Sequence, residues 1–224
     1  MAFGVGVMAF GKFELVWVTN RRLSEDFFVD VRRVAQSGKA DKILLRESDL
    51  PECEYENLAK KTLEIIAECG SSAQLILHTY ASVASRLGAS ELHLPFAKFM
   101  ASGGESAINL RDLVKFDGVC TDKDEAPGIC APNLTQNIKI GVSVHSLEQA
   151  LAAQELGADY VVAGHIFDTP SHALEQGRGL WFLREICESL CIKSYAIGGI
   201  NFENLSEIKQ AGAAGAYMMR GFLS

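Results

Sequence analysis

Apolar positions along the chain follow two alternating rhythms: short continuous runs, and longer segments in which apolar residues return at helical spacing. The clearest case is residues 139–169, KIGVSVHSLEQALAAQELGADYVVAGHIFDT. KIGVSVH is a β-branched apolar run, and Ser146 with Gln149 three residues later has the capping-box spacing that opens a helix. Leu147, Ala150, Leu151, Ala153 and Leu156 share a helical face, and Gly157 supplies the left-handed residue that closes it, so a helix is predicted over 147–156. ADYVVAGHIF is the next strand. Both runs are apolar on both faces, as parallel strands covered by helices must be.

The same rhythm predicts strands at ELVWVTN (14–20), DKILLRES (41–48), QLILH (74–78), ELHLP (91–95), KSYAIGGI (193–200) and GAYMMRGF (215–222). Helices are predicted over 23–36, 58–68, 180–190 and 202–210, with a short helical turn at 81–87; Ser37-Gly38 and Gly70 are the stops of the first two. Residues 96–138 carry Ser102-Gly103-Gly104, a strand-like FDGVC at 116–120, Pro127 and Pro132, and are expected to form an elongated crossover with a loop. Eight strands alternating with helices define a single α/β domain over 1–224, a (β/α)8 TIM barrel. The competing doubly wound sheet lacks its signature, because no G-x-G-x-x-G follows any strand. No helix is encoded after the eighth strand, so the final helix is expected to be lacking or truncated. The apolar extension at residues 1–13, or a second copy of the chain in a homodimer, is expected to cover the surface left bare.

Alternation along a strand puts Gly141, Ser143 and His145 on one face, and Val161, Ala163 and His165 on one face of the next. Two imidazoles then end adjacent strands on the carboxyl side, where such barrels build their sites. Either histidine alone fits a satisfied structural residue as well as a functional one; the pair, beside Ser143 and the glycines, favours function. Gly198-Gly199 offers backbone N–H groups before a helix that Asn201 can cap, and Arg220-Gly221 ends the eighth strand with a bidentate donor. Together they predict phosphate binding at the place where barrels of this class hold phosphate.

Composition narrows the partners. The chain has 224 residues, 48% of them hydrophobic and 22% charged, with a net charge of -7 and no basic cluster. Nucleic acid and anionic membrane surfaces are therefore not expected as partners. The apolar start MAFGVGVMAF has no preceding positive charge, no A-x-A-like cleavage site and too few residues to span a bilayer, so a cytoplasmic protein is expected. The six cysteines, at 53, 69, 120, 130, 187 and 191, form no C-x-x-C pair. Reduced thiols are the default, and Cys187 with Cys191 makes at most half a metal site.

With those residues assembled, the sequence resembles the thiamine phosphate synthase superfamily and, within it, the thiazole tautomerase (TenI) branch. The likeness is carried by LLRES (44–48) for the family's L-R-E-K, HLP (93–95), IGVSVHSLEQA (140–150), GADYVVAGHIFDT (157–169), AIGGI (196–200) and MMRGF (218–222). The resemblance implies a TIM barrel of the thiamine pathway. In the synthases an Asn-Asp ending strand three and an Asp after strand four hold Mg²⁺ and pyrophosphate; here those positions read His78-Thr79 and Phe96-Ala97-Lys98. The lysine of R-E-K is Ser48, and the lysine after the strand-six loop is His172.

The tautomerase branch needs no metal or other cofactor, and its acid/base histidine maps onto His145. The reaction implied is a proton shift that aromatises a thiazole carboxylate phosphate, within reach of an imidazole of near-neutral pKa. Arg46, Ser143, His165 and His172 are then the expected substrate contacts, and Gly198, Gly199, Arg220 and Gly221 the phosphate contacts; Arg46 equally fits a buried structural partner of Glu47 or another acid. A synthase-like protein with weak or lost activity, and a non-catalytic binder of a phosphorylated metabolite, are the competing functions. The resemblance also implies a homodimer.

Overall fold

The computed structural model describes residues 11–101, 138–170 and 175–223. Eight parallel strands close into a barrel in sequence order, β1 (Glu14–Val18), β2 (Lys42–Leu45), β3 (Gln74–His78), β4 (Glu91–Pro95), β5 (Lys139–Val144), β6 (Tyr160–Ala163), β7 (Lys193–Ile197) and β8 (Gly215–Met218), with β8 pairing back onto β1. The connecting helices are α1 (Phe27–Ser37), α2 (Glu52–Glu68), α3 (Ala81–Arg86), α4 (Phe96–Ala101), α5 (Leu147–Glu155), α6 (Gly179–Ser189) and α7 (Leu205–Gln210). Among the described residues β8 is followed only by a 3-10 turn, Arg220–Phe222.

Several predicted boundaries shift for local reasons. α1 begins at Phe27 rather than near Leu23 because the Asp26 carboxylate accepts from the N–H groups of Phe28 and Val29, while Arg21–Leu23 forms a separate 3-10 turn. α2 starts at Glu52, six residues earlier than its apolar spacing suggested; Pro51 precedes it, and Glu52 and Glu54 complement the helix dipole. Residues 96–101, assigned to an irregular crossover, form α4, and the rest of that segment, FDGVC included, lies outside the described residues. Ser146 caps α5 as predicted, accepting from the Gln149 N–H at 3.2 Å, while the Gln149 side chain reaches back to the His145 N–H at 2.8 Å.

Alternate residues of the strands face outward onto the helices or inward into the barrel. Val161 and Ala163 join the outer core with Leu77, Val142, Ala196 and the buried faces of the helices. Val16, Val18, Leu44, Ile76, Tyr160, Val162, Tyr195 and Tyr217 fill the interior. Gly141 is required there, since a Cβ at that position would lie 2.1 Å from the Tyr160 ring.

At the amino ends of the strands the interior is closed by charge. Lys42 Nζ lies 2.8 Å from Glu91 and 3.1 Å from Glu14, and Lys193 reaches Glu14 at 3.0 Å. The Tyr195 hydroxyl donates to Glu14 at 2.7 Å. Burial alone would raise the Glu14 carboxyl, but the hydrogen bonds from Tyr195, Lys193 and Lys42 bring it down to about 2. No helix among the described residues is long and apolar enough to cross a membrane.

Candidate active site

The mouth at the carboxyl ends of the strands is built by parity. Leu44 and Ile76 face inward and β2 pairs with β3 through Leu45 and Leu77, so Arg46 and His78 stand abreast, just above. The β3–β4 pairing sets His78 beside His93, and the β4–β5 pairing sets Pro95 beside Ser143. Ser143 follows on the inward face of β5, and His145 stands just beyond that strand's last residue, Val144.

His145 is exposed at the end of β5, and its Nδ1 lies 3.1 Å from the Gly164 carbonyl oxygen. A carbonyl only accepts, so Nδ1 carries the proton and Nε2 remains the basic nitrogen, available to a bound molecule. This is the arrangement a proton-transferring imidazole needs, with one nitrogen fixed and one free.

His165 occupies a different place from the one alternation gave it. β6 ends at Ala163, so the pleat stops two residues short of it, and the Val161 face that it was assigned to points at the helices. In the β5–β6 register Val144 pairs with Ala163, which sets His145 opposite Gly164 rather than His165. The His165 ring is buried and its Nε2 donates to the Glu175 carbonyl oxygen at 3.2 Å. It ties the segment after β6 to the segment before α6, where Arg178 N–H returns to the His165 carbonyl at 3.0 Å. His172 lies outside the described residues.

His78 and His93, neither of which the sequence marked as a substrate contact, meet at this mouth. His78 is buried, its Nδ1 is 2.7 Å from Thr79 Oγ1, and its ring stacks on His93 with centroids 5.8 Å apart. Burial, then the charges of Arg46 and Lys98, push the His78 imidazole down to about 3. His93 is held well below the ordinary imidazole range by burial, then by His78 and Arg46, and its Nε2 lies 2.7 Å from Ser143 Oγ. Both rings are neutral at physiological pH. Thr79 takes φ +72°, a left-handed conformation uncommon for a β-branched residue and concentrated at functional sites.

Arg46 is exposed and makes no ion pair among the described residues. Glu47, its suggested partner, is buried and instead accepts from Thr19 Oγ1 at 2.8 Å and the Arg21 N–H at 2.9 Å. Asp49 is taken up by Arg21 and Arg22. Among the described residues no carboxylate pairs with Arg46, His78 or Thr79, and no group of three or more His, Cys, Asp or Glu side chains able to hold a metal occurs. Mg²⁺ requires oxygen ligands and near-octahedral geometry, so this donor set does not fit the Mg²⁺–pyrophosphate site of the synthases.

On the opposite side of the mouth Gly198 and Gly199 have φ +103° and +64°, and neither N–H has an acceptor among the described residues. Both glycines are enforced by the neighbouring loop, since a Cβ at Gly198 would lie 2.3 Å from His165 Cβ and one at Gly199 2.6 Å from Phe167 Cβ. Asn201 Oδ1 accepts from the N–H groups of Glu203 and Asn204, ordering the turn into α7. Arg220 is exposed, makes no ion pair among the described residues, and lines a cavity of about 300 Å³ with Val18, Asn20, Leu23, Met219 and Leu223. Gly221 is buried; a Cβ there would sit 3.1 Å from the Ile200 carbonyl oxygen, so this glycine lets the end of β8 approach the turn after β7.

A closed (β/α)8 barrel with titratable side chains and open N–H groups gathered at one end is the architecture of a barrel enzyme. The family model described as thiamine monophosphate synthase matches residues 105–222. The chain belongs to this thiamine-biosynthetic family. It is 31% identical over 204 residues to the thiamine-phosphate synthase of Pyrococcus horikoshii, covering 91% of this chain and 84% of that protein. It is 29% identical over 220 residues to the thiamine-phosphate synthase of Desulfitobacterium hafniense, covering 95% and 90%. The solved thiamine phosphate pyrophosphorylase of Pyrococcus furiosus matches with a TM-score of 0.66 and 27% identity over 93% of this chain and 86% of that one. These relatives are named for the synthase reaction, so the comparisons support the superfamily and not the narrower tautomerase branch.

Proposed function

We propose that this family member has left the metal-dependent synthase reaction and performs a metal-independent proton shift on a phosphorylated thiazole carboxylate. The observation that carries the reading is the pair of strand ends at β3 and β4, where His78, Thr79 and Lys98 stand in place of the synthases' metal-binding carboxylates, while β5 ends in an oriented imidazole. In this reading His145 Nε2 removes and returns the proton. Gly198, Gly199 and Arg220 hold the phosphate through open N–H groups and a guanidinium, and Arg46 meets the carboxylate. A homodimer is part of the proposal, to be read from mass in solution.

A second reading, a synthase of weak or lost activity, is favoured by the names of the relatives. One experiment separates the two. Purified protein is incubated with the thiazole tautomer in excess chelator, following ultraviolet conversion to the aromatic product, and in parallel with the synthase substrates and Mg²⁺, following pyrophosphate release. The proposal expects turnover in the first and none in the second. Mg²⁺-dependent pyrophosphate release with no conversion of the tautomer would return the protein to the synthases.

A further inference from the structure

We propose that Ser143 is the electrophilic partner of His145, its hydroxyl donating a hydrogen bond to the substrate carboxylate as charge builds there, and that buried His93 turns that hydroxyl toward the substrate. The inference rests on reading the mouth as the site of a proton shift, and adds to it a donor and a positioning residue.

Ser143 lies on the inward face of β5 and His145 follows the last residue of that strand, Val144, so the two are two residues apart along the chain, at most roughly 7 Å between their Cα atoms. A base at one and a donor at the other therefore bracket a carbon and the carboxylate attached to it. Ser143 is half-buried at the mouth, and its Oγ is 2.7 Å from His93 Nε2. His93 Nδ1 is buried with no hydrogen-bond partner among the described residues.

A neutral imidazole carries one N–H. Placed on Nδ1, that hydrogen would be a buried donor without an acceptor; placed on Nε2, it leaves only a bare lone pair at Nδ1, which proteins tolerate far more often. Nε2–H therefore donates to Ser143 Oγ. The serine's own proton cannot return along the same line, and it has no other acceptor among the described residues. It is left to donate to a bound molecule. Protonating the ring would keep the Nε2–H donation and only add a second, unpartnered N–H at Nδ1, and burial, the stacked His78 ring and the Arg46 charge all oppose it.

The step balances without a further reactant. The C–H bond at the carboxylate-bearing ring carbon breaks, the proton passes to His145 Nε2, and the electron pair enters the conjugated system and its carboxylate. Ser143 keeps its proton throughout and stabilises the carboxylate oxygen where charge develops. The His145 N–H then breaks as its proton forms a C–H bond at the far end of the conjugated system, and the molecular formula is unchanged.

The first test is nuclear magnetic resonance of the imidazole nitrogens at pH 7, with the His93 signals assigned by their loss in His93→Gln. The expected state is a protonated Nε2 and a bare Nδ1; a proton on Nδ1, alone or in addition, overturns the proposal. The second test is turnover of the thiazole tautomer. Ser143→Ala should lower kcat on the order of 10²-fold with KM changed little, the scale of losing one oxyanion donor.

His93→Phe should match that loss, and the double variant should be no worse than either single one, because both remove the same donor. His93→Gln, which can present an amide N–H near the Nε2 position, should recover most of the rate. Losses that multiply in the double variant overturn the proposal. If the wild-type protein turns nothing over, the proton-shift reading has failed; calorimetric titration with the aromatic thiazole carboxylate phosphate then tests the donor separately. Equal, non-additive losses of affinity in Ser143→Ala and His93→Phe support it, and unchanged affinity in Ser143→Ala overturns it.

Discussion

Replacing Lys42 with Met should unfold this barrel more effectively than any change at its mouth. The ammonium sits between Glu91, whose side chain is 1% exposed, and Glu14, at 19%. With Lys42 gone, Glu91 keeps only Lys139 among the described residues, 3.8 Å away with a side chain 62% exposed and largely screened by water. One buried carboxylate is then left nearly uncompensated, a situation that costs about 3–5 kcal/mol. Set against a total stability of roughly 5–15 kcal/mol, that is a large fraction.

For a chain of this size each kcal/mol moves Tm by roughly 2–4 °C, so a fall of roughly 6–20 °C is expected. Urea unfolding should give a lower midpoint with an unchanged m-value. Adding Glu91→Gln to Lys42→Met should restore part of the loss, because the orphaned charge is removed with its partner. A loss below about 1 kcal/mol, or a double variant worse than Lys42→Met alone, would refute the account of the charged floor.

Three further outcomes are expected. His78 titrates near 6.5 when unfolded and at about 3 when folded, and His93 is depressed in the same sense. Their contribution to stability is thus complete above pH 6.5 and declines as pH falls toward 3, by at most about 1.4 kcal/mol per pH unit for each imidazole; urea midpoints from pH 7.5 to 4.5 should fall in the wild type and flatten in His78→Asn. Glu14, depressed to about 2, adds its own loss only below about pH 4.5. His145→Ala should reduce tautomer turnover by about 10²–10⁴ with Tm unchanged, since the ring is exposed; an undiminished rate would remove it from the mechanism. Arg220→Ala should weaken phosphorylated ligands and leave a dephosphorylated analogue bound as before, and an equal loss for both in calorimetry would make the arginine structural.

The barrel was readable because its strands are apolar on both faces and bounded by clear stops. β3 and β4 were placed to the residue, between Gly70, Gly88 and the polar turns. α2 was shortened because Glu52 to Glu56 is mostly acidic and gives no apolar spacing, although Pro51 with acids in the first turn is a start signal. The places of His145 and Gly198-Gly199 were legible because each follows directly on a strand that its apolar run marks, β5 and β7. The site was misread at His165, where alternation was carried past the end of β6. His93 went unassigned because its role lies in a contact with Ser143 fifty positions away, which only the β4–β5 register creates. The available signal was parity, since His93 stands two residues beyond Glu91 on the same inward face.

The two ends of this barrel answer to different demands. At the amino ends of the strands, lysines and glutamates from β1, β2, β4 and β7 lock one another in place, and none of them reaches the mouth. At the carboxyl ends, residues such as His78 and Thr79 sit where the backbone has already been fixed from outside; the Tyr55 hydroxyl of α2 accepts from the His78 N–H at 2.7 Å and donates to the Leu45 carbonyl at 2.8 Å. A lineage can therefore exchange metal-binding carboxylates for imidazole and hydroxyl at the top without loosening the clasp below. Divergence of chemistry on this scaffold is a matter of rewriting strand ends, with the rest of the barrel inherited intact.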